Sequence, residues 1–246
     1  HRLFRRQRQM CIRDSMNYDN NQGYIVVRDY LPSFAIQQFK LWALNPERIH
    51  RGNACDGKYY DSHELGREYD VWWTTKPPSE FWKPVVWGLV SHIDAIFQKG
   101  AWGIYAVDCI TTRGGSSKVY AHIDTPYRFK EFNQSDRVLG VQIIIPLDPF
   151  TLENGGTAYL PGSHLEKIDF EDLEENREAY NERLLLEGQQ FLAKPGDVLM
   201  YDGRTLHSTM PNHSNQFRSA LLINALQKDI MEDVKLLDNN TDQVKT

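Results

Sequence analysis

The chain has 246 residues, 41% hydrophobic and 25% charged, with 28 Lys and Arg against 33 Asp and Glu. A net charge of −5 without a basic stripe argues against a nucleic-acid binder, and no apolar run approaches the roughly 20 residues of a membrane span. What remains is room for one large domain, of a size that barrels and sandwiches reach undivided.

Residues 1–15 stand apart. The run Arg5-Arg6-Gln7-Arg8-Gln9-Met10-Cys11-Ile12-Arg13-Asp14-Ser15 reads like translated sequencing-adaptor DNA of the transposase type, with His1–Phe4 as the index region before it. A basic arm touching nucleic acid or anionic lipid is the competing reading, and an eleven-residue coincidence makes it the weaker one. The natural start is expected at Met16, and residues 16–246 as a single domain. Without the leader the count becomes 23 basic against 32 acidic residues, a net charge of −9, and only Cys55 and Cys109 remain. Two scattered cysteines, and polar Asn17–Asn21 where a secretory signal would lie, lead to the expectation of a soluble, cytoplasmic protein.

Along the chain, residues 22–100 read as strand and helix. Tyr24–Leu31 is β-branched and extended, and a helical stretch follows Pro32 through Phe34, Ile36, Phe39, Leu41 and Trp42. Residues 50–80 show no clear period. A second helix is expected from Pro84, a favoured first-turn residue, with Val86, Leu89, Val90, Ile93 and Phe97 on its apolar side and Gly100 as its stop. From about 101 to 226 the texture becomes short strands between turns: 103–111, 117–124, 138–147, 157–160, 190–193, 198–202, 205–209 and 217–226. Only an acidic, helix-prone insertion at 165–187 interrupts them. The expectation is a mainly β fold with flanking helices, its core a sandwich or barrel.

His122-Ile123-Asp124 lies in an expected strand, where residues two apart share a face, so imidazole and carboxylate could reach one ion. His207 ends another strand, after Val198–Asp202. Two histidines and one carboxylate on one side of a metal leave open positions opposite, the arrangement of non-haem Fe(II) oxygenases. The same tripeptide occurs at His92-Ile93-Asp94, but there in a helix, where residues two apart are turned about 200° from each other. That copy is expected to flank the apolar stripe without binding metal. A hairpin centred between Asn212 and His213 would set Arg218 opposite His207, and a buried Arg fork beside a metal suits a carboxylate. A hydrogen-bonded strand pair and a surface ion pair are the plainer roles for these residues.

The order His122-x-Asp124, His207, Arg218, with Asn154-Gly155-Gly156-Thr157-Ala158-Tyr159-Leu160-Pro161-Gly162-Ser163-His164 and Pro195-Gly196-Asp197, resembles the phytanoyl-CoA dioxygenase family over most of residues 22–226. The resemblance implies a double-stranded β-helix (jelly-roll, cupin-like) core and an Fe(II)- and 2-oxoglutarate-dependent dioxygenase. Such an enzyme consumes dioxygen, hydroxylates a small organic substrate and releases succinate and CO2. It matches His122, Asp124 and His207 to the iron ligands, Arg218 to the residue on the distal carboxylate of 2-oxoglutarate, and Thr209 to an assisting hydroxyl. Tyr127 falls where an aromatic lines the pocket, although packing explains it as well. Gln142 is a guess for the partner of the 1-carboxylate, and an outward-facing strand residue is as good an account. His164 is expected to anchor a turn and His213 to be solvated. The carboxylate at Asp124 favours hydroxylation, because related halogenases carry a small residue there. The rival readings are a cupin-like metal enzyme that does not use 2-oxoglutarate and a non-catalytic jelly-roll binding protein. The insertion is either a solvated helix or a lid whose negative charge would disfavour acyl-CoA esters.

Overall fold

The structure, a computed structural model, describes residues 18–43, 50–51, 71–75, 77–97, 101–112, 114–115 and 119–244. The adaptor-like leader and most of the aperiodic stretch 50–80 lie outside these residues. The chain opens with β1 (Tyr24–Val27) and α1 (Ser33–Ala43), followed by β2 (His50–Arg51), β3 (Val71–Thr75) and α2 (Ser79–Ile96). The β core then runs β4 (Trp102–Thr112), a short α3 (Lys130–Asn133), β5 (Gly140–Pro146) and β6 (Thr157–Tyr159). The insertion forms α4 (Phe170–Glu175) and α5 (Arg177–Glu187), after which come β7 (Gln189–Gln190), β8 (Val198–Asp202), β9 (His207–Thr209), β10 (Arg218–Gln227) and α6 (Met231–Val244).

Two antiparallel sheets face each other. The larger has the order β1-β8-β5-β10-β4-β3-β2, the smaller β7-β6-β9. This is the expected mainly β jelly-roll core with flanking helices. Alternation decides which side each strand residue serves. Val141, Ile143 and Ile145 of β5 and Leu221, Ile223 and Ala225 of β10 turn outward onto Phe39 of α1 and onto Val85, Val86, Leu89 and Ile93 of α2. Their neighbours Ile144, Leu199, Tyr201 and Ala220 turn inward, between the sheets.

Four expectations need correction. Helix α2 begins at Ser79, not at Pro84, which lies inside it. Pro78 caps the helix and its carbonyl accepts from Phe81 N at 2.9 Å, so the first turn forms five residues earlier and Pro84 sits close enough to that end to be tolerated. The aperiodic stretch contributes β2 and β3, which extend the large sheet beyond β4. Their pairing comes from a distant strand and not from a local period. The expected strand 117–124 is, in its described part, an extended segment with one antiparallel bridge, His122 to His207. Finally, β9 and β10 do not form a hairpin. Arg218 pairs with Thr112 of β4, while His207 pairs with Tyr159 of β6 in the other sheet. The turn between them is a crossover from one sheet to the other, which local turn chemistry does not distinguish from a hairpin.

Candidate metal centre

Segment 119–124 lies along β9. Tyr120 N donates to Ser208 Oγ at 2.9 Å, and His122 and His207 exchange both backbone bonds at 2.9 and 3.0 Å. Asp124 N reaches Gly203 O at 2.8 Å. Being extended, the segment turns His122 and Asp124 to the same side, as its spacing requires. One ligand atom each from His122, Asp124 and His207 lies within 4.8 Å of the others. The two imidazole rings are 4.1 Å apart between centres, and Asp124 Oδ2 is 3.5 Å from His207 Nε2.

The hydrogen bonds fix which nitrogens are free. His122 Nδ1 faces Tyr120 O at 2.8 Å and His207 Nδ1 faces Thr205 O at 2.9 Å. A carbonyl oxygen only accepts, so each Nδ1 carries the hydrogen and each Nε2 keeps its lone pair. Burial holds both imidazoles down at about 4, His122 with a further push from His207, so both are neutral at pH 7. Burial pushes the Asp124 carboxyl up to about 6 against the pull of His122 and of the neighbouring Tyr201 hydroxyl, and its buried Oδ2 accepts no hydrogen bond of good geometry. Two neutral imidazole lone pairs and an unsatisfied carboxylate oxygen converging on one point are a donor set that a divalent cation satisfies. The side chain of Asp124 is 17% exposed and that of His207 6%, so the cluster is largely shielded from solvent.

Its supports were not foreseen from the sequence. Arg204 grips Asp202 in its own turn through Nε at 3.0 Å and an outer nitrogen at 2.6 Å, and also reaches Ser135 O at 2.8 Å. That turn presents both Gly203 O to Asp124 and Thr205 O to His207. Ser163 Oγ accepts from Leu206 N at 2.9 Å and donates to Leu160 O at 2.7 Å. The only trace of these in the sequence is the closeness of Asp202 and Arg204.

Arg218 is buried at the start of β10. One terminal nitrogen donates to Asn154 O at 2.5 Å and Met210 O at 3.3 Å, the other to Thr112 Oγ1 at 3.0 Å. The guanidinium also lies over Phe150, 5.4 Å from the ring centre. Gly155, at φ +76°, leaves it room: a Cβ there would come within 2.5 Å of the guanidinium. Burial lowers Arg218 to about 10, with Asp148 opposing, so it stays charged at pH 7. Among the described residues no carboxylate forms an ion pair with it. Thr209 precedes Met210, whose carbonyl Arg218 holds, and pairs with Thr157.

The other candidates separate. Tyr127 is fully buried, and its hydroxyl accepts from Leu139 N at 2.5 Å and Gly140 N at 3.2 Å. That commits it to the start of β5 and favours packing over pocket lining. Gln142 does not face outward. It is buried in a row across the large sheet, between Tyr201 and Asn224, and accepts from Asn224 Nδ2 at 3.2 Å. His164 is buried with Nε2 2.9 Å from Asn20 O, and His213 is exposed. Among the described residues His92 and Asp94 join no metal-ligand cluster; Asp94 accepts from Trp102 Nε1 at 2.7 Å.

The insertion leaves and re-enters the small sheet at its His207 end, since Tyr159 is registered on both Gln189 and His207. Its inner side packs: Leu173 and Leu184 join Ala121 and Ile123 in one apolar cluster. Its outer side carries exposed Glu171, Glu175, Glu178 and Glu182. It is therefore a docked element beside the His122, Asp124 and His207 cluster, and not a helix held only by its solubility.

Comparison with known proteins places these features. The family model "Phytanoyl-CoA dioxygenase (PhyH)" matches residues 104–220. The dioxygenase lolE1 of Epichloe uncinata is 33% identical over 84 residues, which make up 33% of this chain and 31% of that protein. The matched stretch thus spans about a third of the length of this relative. Among solved structures, HygX from Streptomyces hygroscopicus with nickel and 2-oxoglutarate bound aligns with a TM-score of 0.62 at 13% identity, over 85% of this chain and 84% of that one. SnoK, a non-heme alpha-ketoglutarate-dependent carbocyclase from nogalamycin biosynthesis, aligns with a TM-score of 0.56 at 18% identity, over 84% of this chain and 81% of its own.

Proposed function

We propose, from the premise that across residues 104–220 the chain belongs to the phytanoyl-CoA dioxygenase family, that this protein is an Fe(II)- and 2-oxoglutarate-dependent dioxygenase. It hydroxylates a small organic substrate and releases succinate and CO2. The observation that carries the reading is the convergence, within 4.8 Å of one another, of one ligand atom each from His122, Asp124 and His207. These three would hold the iron. When bound, Fe(II) and 2-oxoglutarate would supply electrons that activate dioxygen, and dioxygen would supply the oxidising power for hydroxylation.

The chain's own residues do the rest. Tyr120 O and Thr205 O fix the imidazole tautomers, and Gly203 O fixes the backbone of Asp124. Arg218 receives the distal carboxylate of 2-oxoglutarate, a charged partner that the described protein itself does not give it, and Thr209 stands near enough in sequence to assist. A buried cation whose hydrogen bonds go to carbonyl and hydroxyl oxygens, with no carboxylate ion-paired to it among the described residues, disfavours both the metal enzyme without 2-oxoglutarate and the silent binding protein. The deciding experiment is the conversion of 2-oxoglutarate to succinate by the purified protein with and without Fe(II). Metal-dependent turnover excludes both rivals, and its absence with every candidate substrate removes this reading.

For the substrate class, the acidic outer side of the insertion beside the metal centre supports a neutral or cationic small molecule over a phosphate-rich acyl-CoA ester. Amines, amino acids and neutral metabolites are expected to stimulate succinate formation. Robust stimulation by an acyl-CoA that weakens as salt rises would reverse the assignment. No described helix is long and apolar enough to cross a membrane.

A further inference from the structure

Among the described residues, segment 119–124 has a strand, β9, on one side only. On its other side, where a strand would lie, α5 supplies side chains. Asn181 Oδ1 accepts from Ala121 N at 2.8 Å, and Arg177 donates to Ala121 O. Both backbone groups of the residue before His122 are thus held by a helix. Ala121 O and His122 N belong to the same rigid peptide plane. One end of that plane is gripped by Arg177, and the other donates to His207 O at 2.9 Å. The Arg177 guanidinium also lies 3.6 Å from the centre of the Tyr120 ring, and Arg177 pairs with Glu174 in the preceding helix. Asn181 and Ala121 are buried, so an unmet bond there would cost the full desolvation of the group.

We infer that Arg177 and Asn181 are positioning residues of the metal centre: Arg177 through the Ala121–His122 peptide plane, and Asn181 through the Tyr120–Ala121 plane whose carbonyl faces His122 Nδ1, set where the His122 imidazole stands. The inference rests on reading His122 as a metal ligand. Such a centre requires its first ligands to be held within about 0.5 Å, and partners one bond removed from a metal typically govern 10–100-fold in affinity. The insertion is then a structural part of the centre as well as its neighbour.

The test is Co(II) binding by the full chain, followed by titration and by the visible absorption of the bound ion. Asn181→Leu and Arg177→Met are each expected to weaken Co(II) binding by about 10–100-fold and to alter the absorption. Asn181→Asp keeps an acceptor for Ala121 N and is expected to recover most of the loss. Wild-type affinity in both weakened variants overturns the proposal, as does Asn181→Asp binding no better than Asn181→Leu. If Asn181→Leu does not fold, Arg177→Met, at the more exposed of the two positions, tests the hold on the same segment through the next peptide plane, at Ala121 O. His207→Ala separates the two levels of the argument. If wild type and His207→Ala bind Co(II) alike, the ligand reading itself fails; if only wild type binds and the α5 variants match it, the positioning role alone fails.

Discussion

The sequence His-Ile-Asp occurs twice, at 92–94 and at 122–124, and the two copies meet opposite fates. In both the isoleucine is buried, Ile93 at 0% and Ile123 at 4% exposure, so burial of the middle residue does not distinguish them. The backbone does. In α2 the flanking side chains are turned about 200° apart, and Asp94 is taken by Trp102. In the extended segment beside β9 the same two side chains fall on one side and meet His207. A metal motif of this kind is a statement about backbone period before it is one about residue types.

The largest effects should separate the two copies outright. Asp124→Ala and His207→Ala are each expected to lower Fe(II)-dependent succinate formation by more than about 100-fold, beyond what loss of an outer-shell partner costs, with far-ultraviolet circular dichroism unchanged. His92→Ala should leave turnover near wild type. Turnover that survives in His207→Ala and is lost in His92→Ala would invert the comparison.

Next comes Arg218, which has no counterpart near the helical copy. Arg218→Ala should raise the Michaelis constant for 2-oxoglutarate by about 10–150-fold, the equivalent of a charged hydrogen-bonded pair worth about 1.5–3 kcal/mol, while Fe(II) still binds. An unmoved constant makes Arg218 structural and revives the metal enzyme that does not use 2-oxoglutarate.

The pH dependence sharpens the contrast further. Metal binding needs the Asp124 carboxylate and two neutral imidazoles. Affinity should therefore be flat above about pH 6 and fall about tenfold per unit below it as Asp124 takes up a proton. It should fall more steeply near pH 4, where the imidazoles also protonate. In metal-free protein the sign for Asp124 is that of a raised group: its contribution to stability is present below its ordinary value of 3.8 and lost as pH rises through about 6. The lowered histidines run the other way, contributing fully above 6.5 and losing it as pH falls toward 4. Asp124→Asn should accordingly gain on wild type in melting temperature above pH 6 without metal. An equal difference at pH 4 and pH 8 would show that the carboxylate is not strained by burial.

The smallest effect belongs to the helical copy. Asp94→Asn keeps an acceptor for Trp102 and should change stability by less than about 1 kcal/mol, whereas Asp94→Ala should cost about 0.5–1.5 kcal/mol, read by denaturant unfolding. Any change in metal affinity from either would place this copy in the site after all.

How much of this was legible in the sequence varied with the range of the interaction. Strand β8 was read at its observed bounds, and β4, β5 and β10 within two residues, because alternation and turn residues are local signals. The candidate ligands were legible for the same reason: a spacing of two on an extended backbone fixes a shared face. The start of α2 was misread because Pro78 and Pro84 are both acceptable near a helix end, and only the folded chain chooses between them. The partners of β2, β3, β9 and β10 lie far along the chain, and nothing local specifies them. Arg218 is therefore set by the large sheet and His207 by the small one, where a hairpin was expected. Arg177 and Asn181, spaced four apart on α5, carry no local signal that sets them apart from the other polar residues of that helix. Their role exists only because that helix docks where segment 119–124 lacks a strand. Residue type and backbone period are local, so the side chains with the chemistry to bind a metal, and the faces they share, are legible before folding. The tertiary structure alone decided which peptide groups were left without partners and which distant side chains satisfy them, since an unmet backbone bond arises only once two elements are packed.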